Sequence, residues 1–154
     1  MKYLSTSIFY ANGTPHLGHC LELIQADFMK RFTILGGSSV FLNCGTDEYG
    51  SKAPEKAKKL GIKVEDVVAD SRDQILVLAE KALIEYDNFI STSISEEHYK
   101  SSQKLWLKCQ ENDDIYFGEY SGLYCEGCEQ YYADKELENN FCLDHQVKLK
   151  LLKT

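Results

Sequence analysis

The spacing of apolar residues changes twice before Gly45. Tyr3 to Ile8 is a short, β-leaning stretch that runs into the turn-prone Asn12-Gly13 and Pro15. Beyond Pro15, Leu21, Ile24, Phe28, Phe32 and Leu35 fall at steps of three and four, with Glu22, Asp27, Lys30 and Arg31 between them. That pattern predicts an amphipathic helix, closed by Gly36-Gly37. Val40-Phe41-Leu42 is an apolar run without helical period, as in a buried parallel strand. Strand, turn, helix, turn, strand is a βαβ unit, the building block of a doubly wound sheet.

Gly45-Thr46-Asp47-Glu48-Tyr49-Gly50 then reads as a polar loop at the carboxyl end of the second strand. A charged helix follows, with Pro54 in its first turn and Gly61 as its stop. Val64 to Tyr86 predicts a longer helix with Val68, Ile75, Leu78, Ala79, Ala82 and Leu83 on one side. Asn88 to Thr92 fits a third strand, and Glu96 to Glu111 a helix carrying Trp106. From Ile115 onward the chain becomes aromatic and cysteine-rich, which places a domain boundary there and divides it into residues 1–114 and 115–154. The expected fold class is α/β: a doubly wound parallel sheet followed by a small cysteine-rich unit; the resemblance described below makes these the first half of such a sheet and a zinc-knuckle insertion.

Composition narrows the function. With 44% hydrophobic and 12% aromatic residues the chain can bury a core, which excludes disorder. No apolar run reaches the length of a membrane span, and Met1 to Tyr10 is too short for a secretory signal. A soluble protein of the cytoplasm is expected. The net charge of −7 argues against holding nucleic acid through general phosphate attraction. Arg31 and Arg72 are the two arginines, so an RNA partner must be gripped locally or by parts outside this chain.

Candidate chemistry gathers in three places. In open α/β sheets ligands bind beyond the carboxyl ends of the strands, where the loops Tyr10 to His19 and Gly45 to Gly50 should meet. His16-Leu17-Gly18-His19 starts a helix with two imidazoles on one face of its first turn. Ring and backbone N–H groups with the helix dipole would there form an anion site suited to polyphosphate. The bland alternative is a pair of capping or packing histidines. Gly18 leaves room for a flat base or ribose to approach the backbone. Asp47 is either a carboxylate awaiting a cationic ligand or a solvated loop or capping residue.

The third place is Cys125-Glu126-Gly127-Cys128 followed by Cys142-Leu143-Asp144-His145. Two Cys-x₂-ligand corners across a short hairpin describe a Cys₃His zinc knuckle. Four protein ligands leave no open position, so the zinc would be structural. A redox Cys-x-x-Cys pair fits less well, because such a pair opens a helix after a strand. Cys20, Cys44 and Cys109, isolated among apolar neighbours, read as buried small hydrophobes.

Asn12-Gly13-Thr14-Pro15-His16-Leu17-Gly18-His19 resembles the HIGH region of class I aminoacyl-tRNA synthetases. With Phe9-Tyr10 before it, Gly45 to Gly50 after it and the cysteine cluster, the resemblance is to the methionyl-tRNA synthetases within that class. It spans nearly the whole chain, departing at Tyr49, where the family usually has histidine, and at Pro54. It implies ATP-dependent activation of methionine to methionyl-adenylate and transfer to tRNA, with Mg2+ accompanying ATP and a Rossmann-like catalytic fold. His16 and His19 would hold the ATP phosphates and stabilise their charge. Tyr10, Asn12 and Gly18 would complete the nucleotide side, with Gly18 against the adenine. Asp47 would receive the methionine ammonium, Tyr10 would line the methionine pocket, and the Ile8 carbonyl would make a second ammonium contact. Cys125, Cys128, Cys142 and His145 would be the zinc ligands of a connective peptide.

The family's second half-sheet, its KMSKS loop and its anticodon-binding helices have no counterpart in this sequence. A truncated segment with little activity of its own is therefore expected, and the lysine-rich stretch Val147 to Thr154 does not read as a domain-closing element. A non-catalytic zinc-binding and interaction module derived from the same fold stays open. So does a related nucleotidyltransferase with another acceptor, although Asp47 and Tyr10 argue against it.

Overall fold

The computed structural model describes residues 1–132 and 140–153, in two compact units, Met1–Leu105 and Trp106–Thr154. The division falls within a helix, and the compositional shift at Ile115 lies inside the second unit.

In the first unit the elements are β1 (Lys2–Ser5), β2 (Phe9–Tyr10), α1 (Leu17–Leu35), β3 (Val40–Asp47), α2 (Lys52–Leu60), α3 (Val64–Lys81) and β4 (Asn88–Ser91). The helix α4 (Glu96–Glu111) crosses into the second unit. β1, β2 and β4 all pair parallel with β3. Ser5 pairs with Asn43 and Phe9 with Thr46, so four steps on one chain meet three on the other. The extra residue is a bulge, a device that re-aims side chains beside functional sites. It divides what the sequence reads as one strand, Tyr3 to Ile8.

Leu42 and Cys44, two apart on β3, pack with Phe9, with Leu23 and Ala26 of α1, and with Ile75 and Ala79 of α3. Both helices therefore cover one sheet face. Successive right-handed crossovers running in one direction produce a single helical layer, as in one half of a doubly wound sheet. On the other face Tyr3 stacks on Phe41, with centroids 6.1 Å apart, and Tyr3 stays exposed.

Three sequence expectations shift. β3 runs on to Asp47 instead of ending near Leu42. Its polar residues are buried because their bonds are made: Asn88 Nδ2 donates to Asn43 Oδ1 at 2.7 Å, and Thr46 Oγ1 donates to Glu48 Oε1 at 2.8 Å. α3 stops at Lys81, where Leu83 turns left-handed (φ 55°) and Ile84 N–H closes onto Ala79 O at 3.0 Å. Leu83 is thus exposed and not in the core.

The third shift concerns α1. Its buried residues are Leu23, Ala26, Asp27 and Lys30, while the stripe Leu21, Ile24, Phe28, Phe32 and Leu35 is exposed. The charged pair is held inside by complete bonding. Lys30 Nζ donates to Glu85 O at 2.8 Å and to Asp87 Oδ2 at 2.7 Å. Asp27 accepts from Glu85 N–H at 3.0 Å and from Arg31 Nε at 2.6 Å. The Asp87 carboxyl, which also accepts Leu42 N–H, lies below its ordinary pKa, chiefly through that backbone bond and then through Lys30.

The second unit holds β5 (Ser121–Cys125), β6 (Gln130–Tyr132), β7 (Phe141–Cys142), β8 (Val147–Lys148) and β9 (Lys150–Lys153). β5 pairs antiparallel with β6 and β9, and β7 with β8. The lysine-rich tail is therefore built into this sheet: Leu151 pairs with Leu123. Its buried centre is Cys125, Cys142 and Leu149, with Leu123, Cys128 and Tyr132 packed against them. So few apolar side chains do not stabilise a unit without a staple. Among the described residues no helix is long and apolar enough to cross a membrane.

Candidate functional site

His16 is the N-cap of α1 and His19 its third helical residue. Gly18 N–H donates to His16 Nδ1 at 3.0 Å, and His16 N–H donates to His19 Nδ1 at 3.0 Å. Histidines thus fill both places of a reciprocal capping box. The sequence expectation that ring and backbone N–H groups share one focus is corrected: two of these backbone donors are taken by the imidazoles. Orphan donors at a helix start demand acceptors, and Nδ1 is the nearest. The consequence is chemical. A neutral ring that accepts at Nδ1 carries its proton on Nε2, so capping fixes the tautomer that presents Nε2–H as a donor.

The two rings lie 3.9 Å apart, and His19 packs edge-on against Phe9 at 4.7 Å. Burial, then repulsion from His16, lowers the His19 pKa, with Glu22 opposing. Glu22 Oε1 accepts the Ser7 amide and hydroxyl at 2.6 and 2.8 Å, tying the β1–β2 bulge to α1. Gly18 lies under the His16 ring: a Cβ there would sit 2.8 Å from Cε1. On that side the imidazole takes the space of a Cβ.

Phe9 pairs with Thr46 and Tyr10 with Asp47, at the carboxyl ends of β2 and β3. Ala11 N–H donates to Asp47 O at 2.9 Å, and Asp47 Oδ1 accepts Tyr49 N–H at 3.2 Å. By strand alternation Tyr10 and Asp47 point away from buried Phe9 and Thr46, toward the face that α1 and α3 leave open. Lys52 Nζ stands 6.0 Å above the half-exposed Tyr10 ring. Asn12 is half-buried in the turn after β2. Ile8 precedes β2 and its side chain approaches Gly45.

Sequence reasoning passed over Glu48, whose side chain is fully buried and faces Arg72 Nη1 at 3.5 Å. A charged residue inside a polar loop carries no sign of burial. The signal lay in Arg72, on the inner side of α3 together with Val68 and Ile75.

In the second unit Cys125, Cys128, Cys142 and His145 bring one ligand atom each within 4.8 Å of one another. Cys128 Sγ lies 3.5 Å from Cys142 Sγ and 3.1 Å from His145 Nδ1, while Cys125 and Cys142 lie 4.0 and 3.9 Å from Nδ1. A tetrahedral ion with Zn–S near 2.3 Å and Zn–N near 2.1 Å needs ligand separations of about 3.6–3.8 Å. The donor set fits such an ion. The His145 backbone N–H, above all, lowers the Cys142 thiol to about 6, which favours the thiolate a metal requires. Gly127 is required by space, since a Cβ would sit 2.4 Å from His145 Cδ2. Tyr132 Oη–H donates to Cys128 Sγ at 3.1 Å, and that bond is the main reason the phenol's pKa is raised. Outside the cluster, Cys44 is fully buried and its pKa is raised by burial, while Cys20 and Cys109 are half-buried.

A solved structure described as Mycobacterium tuberculosis methionyl-tRNA synthetase in complex with methionyl-adenylate matches over 100% of this chain and 31% of its own, with TM-score 0.90 and 29% identity. The fold is accordingly the Rossmann-like class I synthetase fold. The family model described as tRNA synthetases class I (M) matches residues 2–148, and the chain belongs to that family. The methionine–tRNA ligase of Brucella suis is 41% identical over 136 residues, 88% of this chain and 26% of the ligase. That of Mycoplasma genitalium is 38% identical over 149 residues, 96% of this chain and 29% of the ligase. The chain thus spans a little over a quarter of these curated relatives' length.

Proposed function

We propose that this chain is the methionine- and ATP-binding front of a methionine–tRNA ligase of the cytoplasm. Residues 1–114 would supply the first half of the nucleotide-binding catalytic domain and residues 115–154 the start of the connective peptide. The observation that carries the reading is that Tyr10 and Asp47 pair at the carboxyl ends of β2 and β3, the edge at which α1 begins with His16 and His19.

In this reading the methionine ammonium sits between the Asp47 carboxylate and the Ile8 carbonyl, with Tyr10 along the side chain. The methionine carboxylate oxygen attacks the α-phosphorus of ATP; the bond to the β-phosphate oxygen breaks, and pyrophosphate leaves. No protein nucleophile is needed. The chain's part is alignment and charge stabilisation. His16 and His19 donate Nε2–H to the phosphates, the tautomer already set by their caps, while Asn12 and Gly18 border the nucleotide. Removal of one such donor costs about 10²–10³ in rate in comparable sites. Mg2+ would accompany ATP. Zinc, held by Cys125, Cys128, Cys142 and His145, would be structural, and tRNA would be gripped mainly by regions outside this chain.

Calorimetric titration of the chain with methionine and with ATP tests the reading. Binding of both, with methionine binding lost on Asp47→Asn, supports it. Zinc near one per chain with neither ligand bound would instead favour a zinc-binding interaction module.

A further inference from the structure

We infer that Glu48 is a positioning residue for methionine, holding the adjacent Asp47 in the orientation that receives the ammonium group; this rests on the reading of Asp47 above. Glu48 follows the last residue of β3, and its side chain has no solvent exposure. Both carboxylate oxygens and the backbone N–H are engaged. Oε1 accepts Thr46 Oγ1–H at 2.8 Å and faces Arg72 Nη1 at 3.5 Å. Oε2 accepts the Ser93 hydroxyl and the Ser93 amide, the latter at 3.3 Å. The Glu48 amide donates to Thr92 Oγ1 at 2.8 Å, and the Thr92 amide donates to Thr46 O at 3.2 Å.

These bonds clamp the end of β3 to the residues just past β4, at the point where Asp47 leaves the sheet. Side chains alternate along β3, and Thr46 and Glu48 on either side of Asp47 bond to one another at 2.8 Å beneath the sheet, so fixing Glu48 toward α3 fixes Asp47 toward the open face. Burying a carboxylate is costly unless every lone pair is met. An orientation held to a fraction of an ångström is what this clamp adds. A cavity of about 540 Å³ opens beside the pair, lined by Tyr49, Val68, Arg72 and Ile94.

The experiment is methionine and ATP titration of the full chain as wild type, Asp47→Asn, Glu48→Gln and Ser93→Ala, with amide exchange of the ligand-free proteins. Glu48→Gln keeps the shape and removes the charge. It should weaken methionine about ten- to a hundredfold, the range for lost supporting contacts. ATP affinity should stay within about twofold. Ser93→Ala removes one bond of the clamp and should move methionine affinity in the same direction, by less. Amides of Asp47 to Gly50 should exchange faster in Glu48→Gln while those of Lys2 to Ser5 do not. The inference is overturned if Glu48→Gln and Ser93→Ala bind methionine as wild type does while Asp47→Asn does not. It is equally overturned if protection falls uniformly and both ligands weaken together, the mark of a structural role alone. Unchanged methionine binding by Asp47→Asn, or none by wild type, removes the reading of Asp47 itself and this inference with it.

Discussion

Tyr10 stands opposite Asp47 in the parallel ladder, and the next amide, that of Ala11, donates to the Asp47 carbonyl at 2.9 Å. One residue earlier Phe9 pairs with Thr46, and its ring meets that of His19 in a T-shaped contact. The sheet's carboxyl edge thereby links a carboxylate to a pair of imidazoles through two residues of one short strand.

The His19 pKa is lowered in the folded chain, so the unfolded chain binds more protons there. The associated stability is fully present above the ordinary value of about 6.5 and is lost as pH falls through the folded pKa. Burial sets it first, then repulsion from His16, with Glu22 opposing. Urea midpoints of wild type should drop more between pH 7.5 and 5.5 than those of His19→Gln. Equal drops would show that His19 titrates alike in both states.

α1 should be far more sensitive on the side where Leu23 lies than on the side where Phe32 lies. Leu23→Ala, fully buried, is expected to cost about 2–5 kcal/mol, and Phe32→Ser, 63% exposed, less than about 0.5 kcal/mol in the isolated chain. Denaturant unfolding checks the order; a larger loss from Phe32→Ser would reverse the assignment of faces.

Metal content should be near one zinc per chain, and chelation should unfold the second unit while the parallel sheet persists. Tyr132→Phe removes the donor to Cys128 and should weaken zinc about ten- to a hundredfold in competition with a chelator. Gly127→Ala, which drives a methyl into the His145 ring, should weaken it further. Tyr132→Phe with unaltered zinc affinity would mean that the phenol does not support the sulfur.

Much of this was legible in the chain. Gly36 and Gly61 ended helices as read, α4 has the expected bounds, and the four metal-site residues meet as their spacing implied. Periodicity announced α1 but misled about its inner face. Spacing records only that apolar residues share a side, whereas Asp27 and Lys30 are buried through partners 55 or more positions away. The burial of Glu48 was hidden for the same reason, since Thr92 and Ser93 are distant in sequence. The capping use of Nδ1 in His16 and His19 was hidden too, because hydrogen-bond direction is geometry and not composition.

Titration with a non-hydrolysable methionyl-adenylate analogue tests the proposed shared pocket most directly, because one molecule must reach Asp47 and the paired imidazoles together. The account predicts binding tighter than that of methionine or ATP alone, weakened by Asp47→Asn and by His19→Ala alike. Affinity no better than that of the separate ligands, or indifference to either substitution, would contradict it.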